Sequence, residues 1–219
     1  MQDLFVKISG ITNLADAQFA VTCGANAIGF IFDESSPNFI SHLSAEKIIK
    51  KMPEYISKIG TFINADPKFV RDIATHANLS AVELYGNEGA DDLVAFHSSV
   101  IKAFHITDQF DPIVMRNYIV DAFLLDAVQR ENQEKGHKFF WNIALRAKEY
   151  GKIILSGGLT PDNIEDAVRF VQPYGIDVNT GVEKKPGLKD TEKIREFIAR
   201  ARNIPLMYDQ ELDSEEDGE

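Results

Sequence analysis

Cysteine is nearly absent. The 219 residues contain one, Cys23, so an internal disulfide is excluded and a reducing cytoplasm is the expected setting. Long apolar runs are also missing: none approaches the roughly 18–20 residues that span a bilayer, and no membrane association is expected. The opening residues Met1, Gln2 and Asp3 lack the basic segment and cleavage site of a secretory signal. The five histidines, His42, His76, His97, His105 and His137, are scattered without HExxH or paired-ligand spacing, so no metal site is expected.

Basic charge is in short supply. Lysine and arginine number 23 against 34 aspartates and glutamates, a net charge of −11, and without a basic stripe nucleic acid is not an expected partner. The excess is concentrated at one end: Asp209 to Glu219 holds seven acids and no base, which leaves −4 for the rest. Residues 206–219 therefore read as a disordered, solvated tail. Residues 1–205 read as one globular domain, consistent with 44% hydrophobic and 26% charged residues over the chain.

What is abundant is a repeated alternation. Short apolar, β-branched runs are each followed by an amphipathic stretch. The runs are Leu4 to Ile8, Ala27 to Phe32, Lys58 to Ile63, Ala81 to Tyr85, Val100 to Phe104, Ala122 to Asp126, Lys152 to Ser156 and Gly175 to Val178. Helices are predicted after Thr12 or Asn13 as cap, near Ser44 to Met52, from Pro67, near Asp91 to Phe96, near Pro112, over Phe139 to Glu149, from Thr160-Pro161, and over Asp190 to Arg202. Nearly continuous apolar strands fit a parallel sheet buried on both faces. Eight units of roughly 26 residues predict a compact (β/α)₈ TIM barrel. A doubly wound open sheet is the rival, but it normally has five or six strands and often a GxGxxG turn after the first; here that turn reads Ser9-Gly10-Ile11-Thr12.

In a barrel, chemistry gathers at the C-terminal ends of the strands. Two glycine-bearing turns stand there after the last two strands, Ser156-Gly157-Gly158-Leu159 and Asn179-Thr180-Gly181-Val182. Glycines let backbone N–H groups approach an anion closely, and this is the usual phosphate position of such barrels. Gly157, Gly158, Asn179, Thr180 and Gly181 are the predicted phosphate-binding residues; an ordinary tight turn is the alternative. Asp126 ends the sixth run and is predicted to emerge at the barrel mouth. There it either caps a loop or, beside apolar walls, acts as a general acid. Cys23, near the end of the first helix, reads as a small buried apolar residue at the opposite rim.

Taken together these stretches resemble the phosphoribosylanthranilate isomerase family. The resemblance is carried by Val6-Lys7-Ile8-Ser9-Gly10-Ile11-Thr12-Asn13, Gly24 to Phe32, Ser36-Pro37, Phe123-Leu124-Leu125-Asp126, Leu155 to Pro161, and Asp177-Val178 through Gly181-Val182-Glu183. It covers about residues 4–202. It implies a metal-free, cofactor-free barrel of tryptophan biosynthesis that performs an Amadori rearrangement of a phosphoribosylated anthranilate. The implied partner is a phosphorylated small molecule, and the implied assembly a monomer or homodimer. Asp126 falls on the family's general acid. Ser9 occupies the place of its general base, a cysteine in Lys-Ile-Cys-Gly-Ile.

Asn38, Glu83, Tyr85 and Asp177 are the other residues assigned to the substrate pocket. Asn38 stands where the family usually has an arginine, and Glu83-Leu84-Tyr85 replaces its Gln-x-His. The family's glycine-rich loop after the sixth strand is echoed only by Gly136, Lys138 and Trp141. A serine hydroxyl needs a neighbouring base, and Lys7 is expected to point away from Ser9; a water activated by Glu83 is another way to supply the base. Two further readings stay open: a paralogue acting on or binding a different phosphosugar, and an inactive barrel used for interaction.

Overall fold

A computed structural model describes residues 4–93, 96, 98–127 and 137–203; the acidic tail lies outside that range. The predicted alternation forms a closed parallel barrel. Its strands pair in chain order: β1 (Phe5–Ile8), β2 (Ala27–Ile31), β3 (Ser57–Phe62), β4 (Ala81–Leu84), β5 (Ser99–Ile106), β6 (Ala122–Ala127), β7 (Ile153–Ser156) and β8 (Gly175–Val178). The barrel closes between β1 and β8, with Phe5 opposite Gly175 and Lys7 opposite Asp177. Helices α1 (Leu14–Thr22), α2 (His42–Ile49), α3 (Pro67–His76), α4 (Ala90–Leu93), α5 (His137–Ala147), α6 (Ile164–Val171) and α7 (Thr191–Arg202) alternate with the strands. A 3₁₀ segment, Pro112–Asn117, stands between β5 and β6. A small antiparallel hairpin, β9 (Glu183–Lys185) and β10 (Leu188–Lys189), follows β8.

The period of two along each strand sorts the apolar residues into two shells. Ala27, Ile59, Ala81, Ile101, Leu124 and Ile154 point inward and fill the barrel. Their neighbours, among them Val6, Ile28, Val82, Phe123 and Ile176, point outward and pack under the helices. That is why the strands read as unbroken apolar runs.

Local signals set most helix starts. The Asn13 side chain caps α1 by accepting from the Asp16 N–H, and Ser41 caps α2, which starts at His42, two residues before the predicted Ser44. Asp66 accepts from Lys68 and Phe69 with Pro67 in the first turn, and Asp190 caps α7. One start differs in kind. Thr160-Pro161 does not open α6, which begins at Ile164. Instead the Asn163 carboxamide accepts from the Thr160 N–H at 2.9 Å and donates to the Gly158 carbonyl at 2.8 Å, folding residues 158–163 into a compact turn.

One inward-facing position is kept empty. A Cβ on Gly29 of β2 would meet Ser9 Oγ at 2.6 Å and Lys7 Cε at 3.0 Å. The missing side chain is the space through which Lys7 passes from β1 toward β4. Overpacking such a site costs about 1–3 kcal/mol, so Gly29→Ala is expected to lower the urea midpoint by that amount of stability. An unchanged midpoint would show that the passage is not tightly packed.

Candidate active site

The C-terminal ends of the strands surround a cavity of about 420 Å³. Ser9, Glu83, Tyr85, Asp126, Asp177 and Gly158 all line it, and Gly157, Asn179, Thr180 and Gly181 complete one side. Ten of the predicted site residues thus share one opening. Asn38 is the exception.

The floor of the cavity is charged. Lys7 is fully buried and extends inward, its Nζ donating to Glu83 Oε2 at 2.5 Å and lying 3.5 Å from Asp177 Oδ1. The expectation that Lys7 points away from Ser9 is incorrect: residues two apart in a strand share a face, and both side chains enter the barrel. Thr61 Oγ1 donates to the other Glu83 oxygen at 2.9 Å. Burial opposes the Lys7 charge, but Asp177 and Glu83 outweigh it and hold the ammonium above its ordinary range. Burial pushes the Glu83 carboxyl up, against the pull of Lys7. Lys7 is thus the cation that lets an acid occupy this place.

Asp177, the third residue of β8, collects the remaining donors. Ser9 Oγ donates to its Oδ1 at 2.5 Å and Ser156 Oγ to its Oδ2 at 3.1 Å. Across the opening, Asp126 projects from the end of β6 in register with His105 and Ser156. The Tyr85 hydroxyl donates to Asp126 Oδ2, and His105 Nδ1 lies 3.6 Å from the same oxygen. Burial raises the Asp126 carboxyl above its ordinary value, while the Tyr85 hydrogen bond and the His105 charge pull the other way. Burial, reinforced by Asp126, keeps the Tyr85 phenol protonated. A carboxyl group raised by apolar walls is suited to donate a proton near neutrality.

The glycine turns face this pair from β7 and β8. Gly157 and Gly158 have φ of +85° and +63°, and a Cβ on Gly181 would fall 1.8 Å from the Leu159 carbonyl. The two turns therefore pack against each other and need glycine to do so. The second turn is braced from outside by a polar clamp. Asn38 is buried beneath the cavity rim, outside its lining; its Nδ2 donates to Asn179 Oδ1 at 2.6 Å and to Glu183 Oε1 at 2.7 Å, and its Oδ1 accepts from the Gly187 N–H at 3.0 Å. Lys189 Nζ donates to the same two acceptors, at 2.8 and 3.0 Å. The Oδ1 of Asn179 is thus taken up by the clamp, while the residue itself lines the cavity.

Other readings settle simply. Trp141 is buried with its ring 6.1 Å from Phe170, between α5 and α6. Gly136 and the Lys138 side chain lie outside the described residues. Cys23 caps α1 at the far rim, half-buried against the core, and burial raises its thiol. The hydroxyl partner of Asp126 goes beyond what the sequence predicts; a phenol ending one strand two places from an acid ending another is the signal for it. Among the described residues, no helix is long and apolar enough to cross a membrane.

A closed barrel with acids at the C-terminal mouth and glycine turns after its last two strands belongs with the (β/α)₈-barrel enzymes. Within that class the chain belongs to the N-(5′-phosphoribosyl)anthranilate isomerase family, whose model matches residues 6–200. It is 46% identical over 200 residues to the N-(5′-phosphoribosyl)anthranilate isomerase of Geobacter sulfurreducens, covering 90% of this chain and 98% of the relative. The Geobacter metallireducens protein of the same name is 45% identical over the same coverage. Among solved structures, phosphoribosyl anthranilate isomerase from Thermotoga maritima superposes with a TM-score of 0.84 at 36% identity, covering 92% of this chain and all of that one. A further phosphoribosyl anthranilate isomerase, solved in complex with reduced 1-(o-carboxyphenylamino)-1-deoxyribulose 5-phosphate, matches at a TM-score of 0.81 and 34% identity, again over 92% of this chain and all of that one.

The paired turns generate a direct test. Tenfold excess of inorganic phosphate over its dissociation constant stabilises by about 1.4 kcal/mol, expected as a rise of about 3–6 °C in melting temperature. Gly158→Val should melt at the same temperature with and without phosphate. A rise that survives the substitution would place the anion elsewhere.

Proposed function

We propose that this cavity isomerises N-(5′-phosphoribosyl)anthranilate, a step of tryptophan biosynthesis, without metal or organic cofactor. The observation that carries the reading is the placement of Asp126 and the Ser9–Asp177 pair on one cavity flanked by the two glycine turns. The phosphate sits at Gly157, Gly158, Thr180 and Gly181, which line one side of the cavity and whose glycines let backbone N–H groups approach an anion. This puts the sugar across the mouth and its anthranilate end toward the loops after the earlier strands.

Asp126 gives its proton to the furanose ring oxygen. The C1–O bond breaks with its electron pair going to that oxygen, and the amine lone pair forms a C1=N⁺ Schiff base. A proton then leaves the neighbouring carbon on the Ser9 side of the cavity. Its bonding pair makes a C1=C2 double bond, and the iminium pair returns to nitrogen. Ketonisation of the enol completes the rearrangement. The barrel occupies residues 1–205, followed by an acidic tail, and acts in the cytoplasm as a monomer or homodimer. A dimeric phosphoribosylanthranilate isomerase is the Thermotoga maritima enzyme from which monomers have been generated.

The chain is expected to restore growth to a tryptophan auxotroph lacking the isomerase, and Asp126→Asn to abolish it through a fall of about 10²–10⁴ in turnover. Growth that survives Asp126→Asn would remove Asp126 from the acid role; no growth with either would sink the isomerase reading.

Tyr85 yields a pH prediction. Asp126 must be protonated to act, so turnover falls as pH rises through its pKa. The groups acting on it are the Tyr85 hydroxyl and His105, which pull that pKa down, and Asp177, which pushes it up. Tyr85→Phe removes a downward pull, so the descending limb of the kcat profile is expected to move to higher pH. A limb displaced to lower pH would contradict the assignment.

A further inference from the structure

The geometry points to Asp177 as the base that removes the sugar proton in this chain, with Ser9 as its positioning residue. This rests on the isomerase reading above and assigns the group on which that reading turns.

Ser9 is a poor candidate for the task. Its hydroxyl is nearly buried and its proton is directed at Asp177 Oδ1, 2.5 Å away. A serine hydroxyl is a weak nucleophile and base unless a neighbour takes its proton, and the neighbour that would do so is already the stronger base. Glu83 is the more tightly neutralised of the two acids: Lys7 holds it at 2.5 Å, against 3.5 Å for Asp177, and Thr61 donates to its other oxygen at 2.9 Å. Lys7 is held as a cation between two acids and has no lone pair to offer.

Asp177 meets each requirement. It lines the cavity with Asp126 and lies two strands away from it, on the same mouth of the barrel. An ionised carboxylate offers about four acceptor sites. Ser9, Ser156 and Lys7 approach Asp177 at 2.5, 3.1 and 3.5 Å, which leaves one site for an incoming proton. The two hydroxyls fix the plane of the carboxylate, and the ammonium supplies a counter-charge. Carboxylate bases that abstract a proton beside an electron-poor carbon are well established in other barrels and folds.

The proton count closes. Asp177 takes the proton from C2 as the C1=C2 bond forms and the iminium pair returns to nitrogen. During ketonisation it hands that proton to C1, while the enol proton returns to Asp126. Both carboxyl groups finish as they began, and no oxidant, reductant or co-reactant is required.

The test uses the full chain and N-(5′-phosphoribosyl)anthranilate. Asp177→Asn is close to isosteric and is expected to lower kcat by about 10²–10⁴ with a small change in KM. Ser9→Ala, which leaves the carboxylate in place, is expected to lose less than about tenfold. The decisive variant is Ser9→Cys combined with Asp177→Asn. A thiol at position 9 supplies some thiolate near neutrality, so the double variant is expected to recover at least about tenfold over Asp177→Asn. A carboxylate that merely held a substrate hydroxyl would raise KM and show no recovery, and that result overturns the assignment. So does a Ser9→Ala enzyme that loses about 10²-fold or more against wild type, a comparison that stands even if Asp177→Asn fails to fold. An active wild type with an equally active Asp177→Asn refutes Asp177 alone, whereas an inactive wild type refutes the isomerase reading beneath it.

Discussion

A buried ammonium organises this barrel. Removing a charge from water costs several kcal/mol even after relaxation, and Lys7 is withdrawn completely. The cost is offset because Glu83 and Asp177 converge on it from β4 and β8, and because Thr61, Ser9 and Ser156 satisfy the acids in turn. One cation thereby ties together five strands on the inside of the barrel. The layer lies directly above the apolar filling of the barrel, so it forms a rigid floor on which the open mouth is built. Removing Lys7 would leave Glu83 and Asp177 buried without their counter-charge, the circumstance in which ion pairs matter most.

The two sides of the mouth are held by different physics. The acids stand on strands, where backbone ladders fix their Cα positions and pairing fixes their tips. The glycine-bearing turns stand on loops, and loops need other bracing. Here the bracing is the clamp of Asn38, Asn179, Glu183 and Lys189, which joins the loop after β2 to the hairpin after β8. The same clamp explains the departure at position 38. An arginine there could reach outward to an anionic ring substituent; an asparagine is short and neutral, and its two ends are spent on loop architecture.

Much of the barrel could be read in the sequence because inward and outward faces are both apolar, so each strand appears as a run and each run ends where chemistry can emerge. Asp126 was visible for that reason, as were Gly158 and Gly181. The expectation for Lys7 fails because it treats Lys7 as the immediate neighbour of Ser9, whereas residues two apart alternate back to the same face. The pairing of Lys7 with Glu83 bridges 76 positions, and that of Ser9 with Asp177 bridges 168; nothing local marks either. Asn38 reads as a pocket residue because it stands where the resembled family has an arginine, but its partners lie 141 and 145 residues away. The turn at Thr160-Pro161 looked like a helix start because proline fits a first helical turn equally well, and only the Asn163 side chain decides between them.

Gly29 leaves a lasting mark on how such a chain can change. The long side chain at position 7 crosses the barrel only because position 29 contributes a hydrogen atom, and it is tolerated only because an acid waits at position 83. Three sites on separate strands are thus locked into one inherited unit: losing the lysine strands the acid, and enlarging the glycine blocks the lysine. Accumulated replacements among descendants would have to arrive together or not at all.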